Sequence, residues 1–179
     1  GVHNLIHCTW LAEDPDEVYD YDTDVADTIA DKGLFVDPTL ALVHLSRLRD
    51  PEGTLRGQML ERNSERRFEI LRDMWDRGVS FVTGMDSGMT NARFDDFAYI
   101  PEVMVGSLGI SPMEAIVCAT QTSADCLGIL EETGTLTPGK DADVVIINGD
   151  PLMDIRALHS VDTIVKQGSI IKRNGVVLV

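Results

Sequence analysis

The chain has 179 residues, 44% of them hydrophobic and 25% charged, with 30 acidic side chains against 15 basic ones and a formal net charge of −15. A surface of that sign repels nucleic-acid phosphates and anionic lipid, so neither is expected as a partner. No apolar run approaches the roughly 20 residues that span a bilayer, and no basic stretch leading into an apolar one opens the sequence. The three cysteines, Cys8, Cys118 and Cys126, share no metal-like spacing, so free thiols and a reducing, cytoplasmic setting are expected.

In chain order, residues 3–9 predict a short strand whose alternation puts His3, Leu5, His7 and Thr9 on one face. Residues 13–24 are acidic and contain Pro15, which predicts a loop ending near Asp22 or Thr23 as a helix N-cap. A helix follows over 24–32, closed by Gly33. A second strand covers 34–37 and stops at Pro38. Residues 40–56 carry no decisive pattern apart from the turn Asp50-Pro51-Glu52-Gly53. Over 57–77, Met59, Leu60, Phe68, Leu71, Met74 and Trp75 recur at helical spacing, and Arg77 and Gly78 suit the end of that helix. A third strand takes 79–85. Strands alternating with helices through short connections predict parallel pairing with right-handed crossovers.

A further helix is expected over 95–107, with Pro101 limiting its regularity. Ser111-Pro112-Met113-Glu114 combines a cap, a proline at the first position and a capping-box glutamate, and starts a helix running to about Leu127. After Gly134 the texture turns to short β runs at 142–147, 161–166, 169–172 and 176–179. Gln167-Gly168 and Asn174-Gly175 between the last three signal hairpins. The boundary between the α/β part and the small β part falls near 130–140.

His7 and Asp86 end the first and third predicted strands. In a parallel α/β barrel the strand C-termini open onto one face, where chemistry is done. An imidazole and a carboxylate both suit zinc or a similar divalent ion. Each also has a plain structural reading: a hydrogen-bonded histidine at a strand end, or an aspartate capping the turn at Ser87-Gly88. Arg93, shortly after Asp86, could pair with a substrate carboxylate or be an ordinary surface arginine. His44 could touch substrate or be a solvated loop histidine. His3, about 13 Å from His7 along an extended strand, reads as a satisfied core residue, and His159 has no expected part in catalysis. The acidic run 13–24 lacks the glycine and spacing of a calcium loop and reads as solvated.

Three segments together resemble the last third of a metal-dependent amidohydrolase of the imidazolonepropionase-like and prolidase-like branch. They are Ile6-His7-Cys8-Thr9, Gly84-Met85-Asp86-Ser87, and the stretch from Gly134 to Asp150. Leu34-Phe35-Val36-Asp37-Pro38-Thr39-Leu40 is similar to the Val-Pro-Thr-Leu of strand seven in that family, with Asp37 in place of an apolar residue. The helix from Leu108 to Ile116 resembles the closing helix.

The resemblance implies an α/β fold: strands six to eight of a (β/α)₈ TIM barrel over residues 1–133, then the C-terminal strands of a small composite β-sandwich over 134–179. It implies hydrolysis of an amide or peptide-like C–N bond in a small-molecule or dipeptide-like substrate. His7 and Asp86 would bind a divalent metal, zinc being the expected ion, and Asp86 would take a proton from the attacking water and pass it to the leaving nitrogen. The His-x-His pair, bridging Lys or Glu and further His of the family have no counterpart in these residues. Two ligands do not hold zinc, so the chain is expected to be inactive alone, and to associate with a second copy or a complementary N-terminal chain. A deaminase of a related subfamily and a non-catalytic barrel scaffold are the alternatives.

Overall fold

The computed structural model describes residues 1–13, 18–50, 63–88 and 91–178. Three short strands, β1 (Asn4–Ile6), β2 (Phe35–Asp37) and β3 (Ser80–Phe81), form a parallel sheet in that order. Asn4, Leu5 and Ile6 pair with Phe35, Val36 and Asp37, and Phe35 and Val36 then pair with Ser80 and Phe81. Because the strands run the same way, the segments after Ile6, Asp37 and Phe81 all leave at one end of the sheet.

Two of the strands are shorter than the expected 3–9 and 79–85. β1 stops where His7 and Cys8 take left-handed backbone, φ 69° and 42°, so the expected alternation does not reach Thr9. β2 ends before Pro38, which has no N–H for a ladder. One further bond closes each pair: the His7 N–H donates to the Asp37 carbonyl (2.8 Å) and the Val82 N–H to the Val36 carbonyl (2.9 Å).

Helix α1 (Thr23–Asp31) is capped by Asp22, whose side chain accepts the N–H groups of Asp24 (2.8 Å) and Val25 (3.3 Å). Helix α2 (Ala41–Arg49) occupies the stretch that lacked a decisive pattern. Helix α3 (Ser64–Asp76) buries Phe68, Ile70, Leu71 and Met74; residues 57–62 of the predicted helix, and 51–53 of the predicted turn, lie outside the described residues. Helix α4 (Tyr99–Leu108) begins later than expected and takes Pro101 into its first turn, where a missing N–H breaks no helical bond. Helix α5 (Pro112–Val117) opens with the full Ser111–Glu114 capping box.

The single helix expected from 112 to about 127 is interrupted by a π turn, Cys118–Thr122, before α6 (Ser123–Cys126). Side-chain hydroxyls compete for the carbonyls there: Thr120 Oγ1 donates to Ile116 O and Ser123 Oγ to Cys118 O, both at 2.7 Å. Ser123 Oγ also accepts the N–H of Thr83 (3.2 Å), just past β3. The helix break thus supports the segment leading to Asp86.

The core lies between the parallel sheet and its helices. Val36 on the middle strand and Phe81 on β3 are fully covered, packed with Leu40, Leu45, Leu71, Met74, Ile100 and Met104. Beyond residue 134, strands β4 (Val144–Ile147), β5 (Val161–Lys166), β6 (Ser169–Arg173) and β7 (Val176–Val177) form an antiparallel meander. Its two-residue turns have both central residues left-handed, Gln167 and Gly168 at φ 48° and 77°, Asn174 and Gly175 at 50° and 76°, as type I′ geometry requires. The 3₁₀ turn Ile155–His159 joins this sheet to α4: His159 Nε2 lies 2.7 Å from Glu102 Oε2.

Candidate active site

Residues His7, Asp37, Thr39 and Asp86 all follow or end strands at the common open end of the parallel sheet. His7 is tied to β2 twice. Its N–H meets the Asp37 carbonyl, and its ring Nδ1 lies 3.0 Å from Thr39 Oγ1. Thr39 is buried and left-handed, φ 45°. The turn is held from behind by Arg67, buried on α3, whose Nη2 donates to the Pro38 carbonyl while its Nε has no partner among the described residues.

Asp37 is the central group of this end. One oxygen accepts the Thr39 N–H at 3.0 Å, an Asx-turn. The carboxylate also lies against the Gly84 backbone, in the segment leading to Asp86. The contact is so close that a Cβ at Gly84 would fall 1.8 Å from Asp37 Oδ2. Burial pushes the Asp37 carboxyl above its ordinary range. The backbone N–H groups of Thr39 and Gly84 and the nearby His7 oppose that rise, and the negative charge of Asp86 adds to it. His7 and Asp86 therefore both lie within electrostatic reach of one carboxylate.

Asp86 is exposed and left-handed, φ 51°, after the buried Met85. Beyond it the chain folds back: the Gly88 N–H meets the Ala92 carbonyl at 3.1 Å and Ser87 Oγ the Arg93 carbonyl at 3.4 Å. Asp96 fixes this rim. It accepts the Arg93 N–H (2.6 Å) and is gripped by both Nη groups of Arg49 on α2, Nη2 at 2.6 Å. That hydrogen-bonded guanidinium holds the Asp96 carboxyl below its ordinary range. The side chain of Arg93 is left exposed beside Phe94, itself 86% exposed.

The other histidines lie elsewhere. His44, half-buried on α2, has its ring 5.3 Å from that of Tyr99, which meets His159 edge-on at 4.4 Å; this stack belongs to the α2–α4 contact. His3, expected in the core, is exposed; its Nε2 lies 3.1 Å from the Cys126 carbonyl and its ring packs edge-on to Phe35. The three cysteines are free, and burial raises the Cys118 thiol to about 11.

His7 and Asp86 are of the donor types that zinc takes, and together they amount to half of a tetrahedral shell. Among the described residues no group of three or more His, Cys, Asp or Glu side chains converges to hold a metal. Asp37, Thr39 and Arg67 were not recognised from the sequence as parts of this end. The signal for Asp37 was present, an acidic residue closing an apolar strand immediately before Pro-Thr. Arg67 gave none, since it looks like any charged position of an amphipathic helix.

The amidohydrolase family model matches residues 4–171, and the chain belongs to that family, which generally uses divalent metals. Among curated relatives, it is 28% identical over 107 residues to the imidazolonepropionase of Brevibacillus brevis, covering 58% of this chain and 25% of that protein. Over 72 residues it is 38% identical to adenine deaminase 4 of Rhizobium meliloti, covering 40% of this chain and 11% of that one. Among solved structures, a putative prolidase from Bifidobacterium longum superimposes with a TM-score of 0.78 at 28% identity, over 98% of this chain and 43% of its own. The structural neighbours are TIM-barrel amidohydrolases. The chain spans about a quarter of the imidazolonepropionases it matches. No helix among the described residues is long and apolar enough to cross a membrane.

Proposed function

We propose that this chain supplies strands six to eight of the catalytic barrel, over residues 1–133, and the closing strands of a β-sandwich, over 134–179, to a metal-dependent amidohydrolase that cleaves amide or peptide-like C–N bonds. One observation carries the reading: His7 and Asp86 follow the outer strands of a parallel sheet at the same end, with Asp37 of the middle strand in electrostatic reach of both. In that reading His7 and Asp86 are two ligands of a divalent ion, zinc by donor type, completed by groups outside these residues. The ion supplies Lewis-acid polarisation. The chain's own chemistry is that of Asp86: exposed at the rim, it accepts the proton of the attacking water and returns it to the leaving nitrogen. Arg93, exposed on the rim that Asp96 holds, is placed to meet a substrate carboxylate. His44, stacked on Tyr99, is the weaker of the two substrate-contact candidates.

Among the described residues no third donor joins His7 and Asp86, so the chain by itself is expected to be inactive. β1 and β3 are the outer strands of their sheet, so a second copy or a complementary chain pairing there fits the same reading. The test is Asp86→Asn in the complete protein. It removes one charge and the proton acceptor at nearly constant volume. The expected loss is about 10² to 10⁴ in kcat, the usual worth of a general base, with the melting temperature unchanged. A variant that keeps more than a tenth of the wild-type kcat with its metal bound refutes the role. Release of ammonia from an aminopurine rather than cleavage of an amide, with the same Asp86 dependence, favours the deaminase reading that the relationship to adenine deaminase 4 suggests.

A further inference from the structure

Asp37 stands at the open end of the sheet, and its side chain reaches across strands. Its backbone carbonyl takes the His7 N–H, one carboxylate oxygen takes the Thr39 N–H, and the other packs against the Gly84 backbone. Thr39, set by that carboxylate bond and by the Arg67 bond to Pro38, presents its hydroxyl to the His7 ring. Gly84 lies two residues before Asp86 and has no room for a side chain against Asp37 Oδ2. One half-buried carboxylate therefore links the segment after β1, the turn after β2 and the segment after β3.

We propose that Asp37 is a positioning residue that sets the His7 imidazole and the Asp86 carboxylate in one fixed relation, acting on His7 through Thr39 and on Asp86 through the Gly84 backbone. One of its oxygens accepts the Thr39 N–H and the other packs against Gly84. Groups that orient ligands in this way carry about 10- to 100-fold in metal affinity or activity. The inference rests on the functional reading above for its consequences in catalysis, but the geometry it asserts is separable from it.

The distinguishing variants are Asp37→Asn and Asp37→Ser. Asn keeps the volume and one acceptor but sets an NH₂ against either the Thr39 N–H or the Gly84 backbone. Ser keeps a short acceptor for the Thr39 N–H, the equivalent local turn, but cannot reach Gly84. In the complete protein each is expected to lower kcat and zinc affinity by about 10- to 100-fold, with KM for an amide substrate changed less than about threefold. A readout independent of turnover is the ¹⁵N signature of the His7 ring in zinc-free protein: one tautomer in the wild type, a mixture in both variants. If Asp37→Asn does not fold, Asp37→Ser decides. A wild-type His7 signature and wild-type zinc affinity in the folded variant overturn the proposal and leave Asp37 as a filler of the strand end. If the wild-type protein neither binds zinc nor cleaves amides, the functional reading falls, while the His7 signature still decides the positioning role.

Discussion

At the two hairpins of the antiparallel sheet, Gln167-Gly168 and Asn174-Gly175, positive φ is what a two-residue type I′ connection demands, and the sequence puts glycine at the second position of each. At the open end of the parallel sheet, His7, Cys8, Thr39 and Asp86 take φ of 69°, 42°, 45° and 51° with no hairpin to require it. For ordinary L-residues that conformation costs roughly 1–2 kcal/mol each, with aspartate less penalised. It persists where surrounding bonds over-determine it. Here those bonds are the Asp37 carboxylate, the Thr39 hydroxyl and the Arg67 guanidinium. The two regions also differ in what holds them. Among the described residues nearly every buried apolar side chain belongs to the α/β part, and after residue 134 Ile155 stands alone in that class, while Val145, Ile146, Val176, Val177 and Leu178 are at least half exposed. The difference teaches that the strained end rests on a packed core, whereas the meander rests on turn chemistry and its ladder.

The largest expected effect tests that contrast directly. Phe81→Ala removes a fully buried ring from β3 and is expected to cost about 3–5 kcal/mol in urea unfolding. Val177→Ala, at a position 65% exposed, is expected to stay within about 0.5 kcal/mol. Comparable losses would mean that the antiparallel sheet has a core of its own and that the contrast is false.

A smaller effect separates the two kinds of backbone constraint. Gly84→Ala forces a methyl onto the Asp37 carboxylate, an overpacking expected to cost about 1–3 kcal/mol and to shift the His7 ring signals. Gly175→Ala, at φ 76° with open space around it, is expected to cost about 1–2 kcal/mol and to leave His7 untouched. A His7 spectrum equally disturbed by both would show that the strand end is not locally set.

The smallest effect concerns pH. The Arg49 hydrogen bonds lower the Asp96 pKa from 3.8. A depressed carboxyl stabilises the fold above its unfolded value and loses that contribution as pH falls through the lower folded value. The wild type is therefore expected to melt above Asp96→Asn at neutral pH. That lead should shrink below pH 3.8 and vanish once Asp96 is protonated in both states. A lead that persists undiminished in acid would place the effect in packing of the rim rather than in the ion pair.

Much of the architecture was legible because its causes are local. The Asp22 cap, the Ser111–Glu114 box, the Asn174-Gly175 turn and the alternation of strands with helices depend on residues a few positions apart, and each stands where it was expected. The helix α2, lacking such marks, was not legible, and the π turn at Cys118–Thr122 arises from hydroxyls that read as ordinary helix-surface positions. His7 and Asp86 could be singled out because strand ends can be counted along the chain. Asp37 could not be given its place, because its partner Gly84 is brought to it only when β2 and β3 pair. Nor could His3, whose expected place in the core is contradicted by its exposure. The sequence by itself determined elements, turns and the family. Only the tertiary structure decided which polar groups meet, since the contact between residues 37 and 84 follows from strand register and close packing, not from any pattern within one segment.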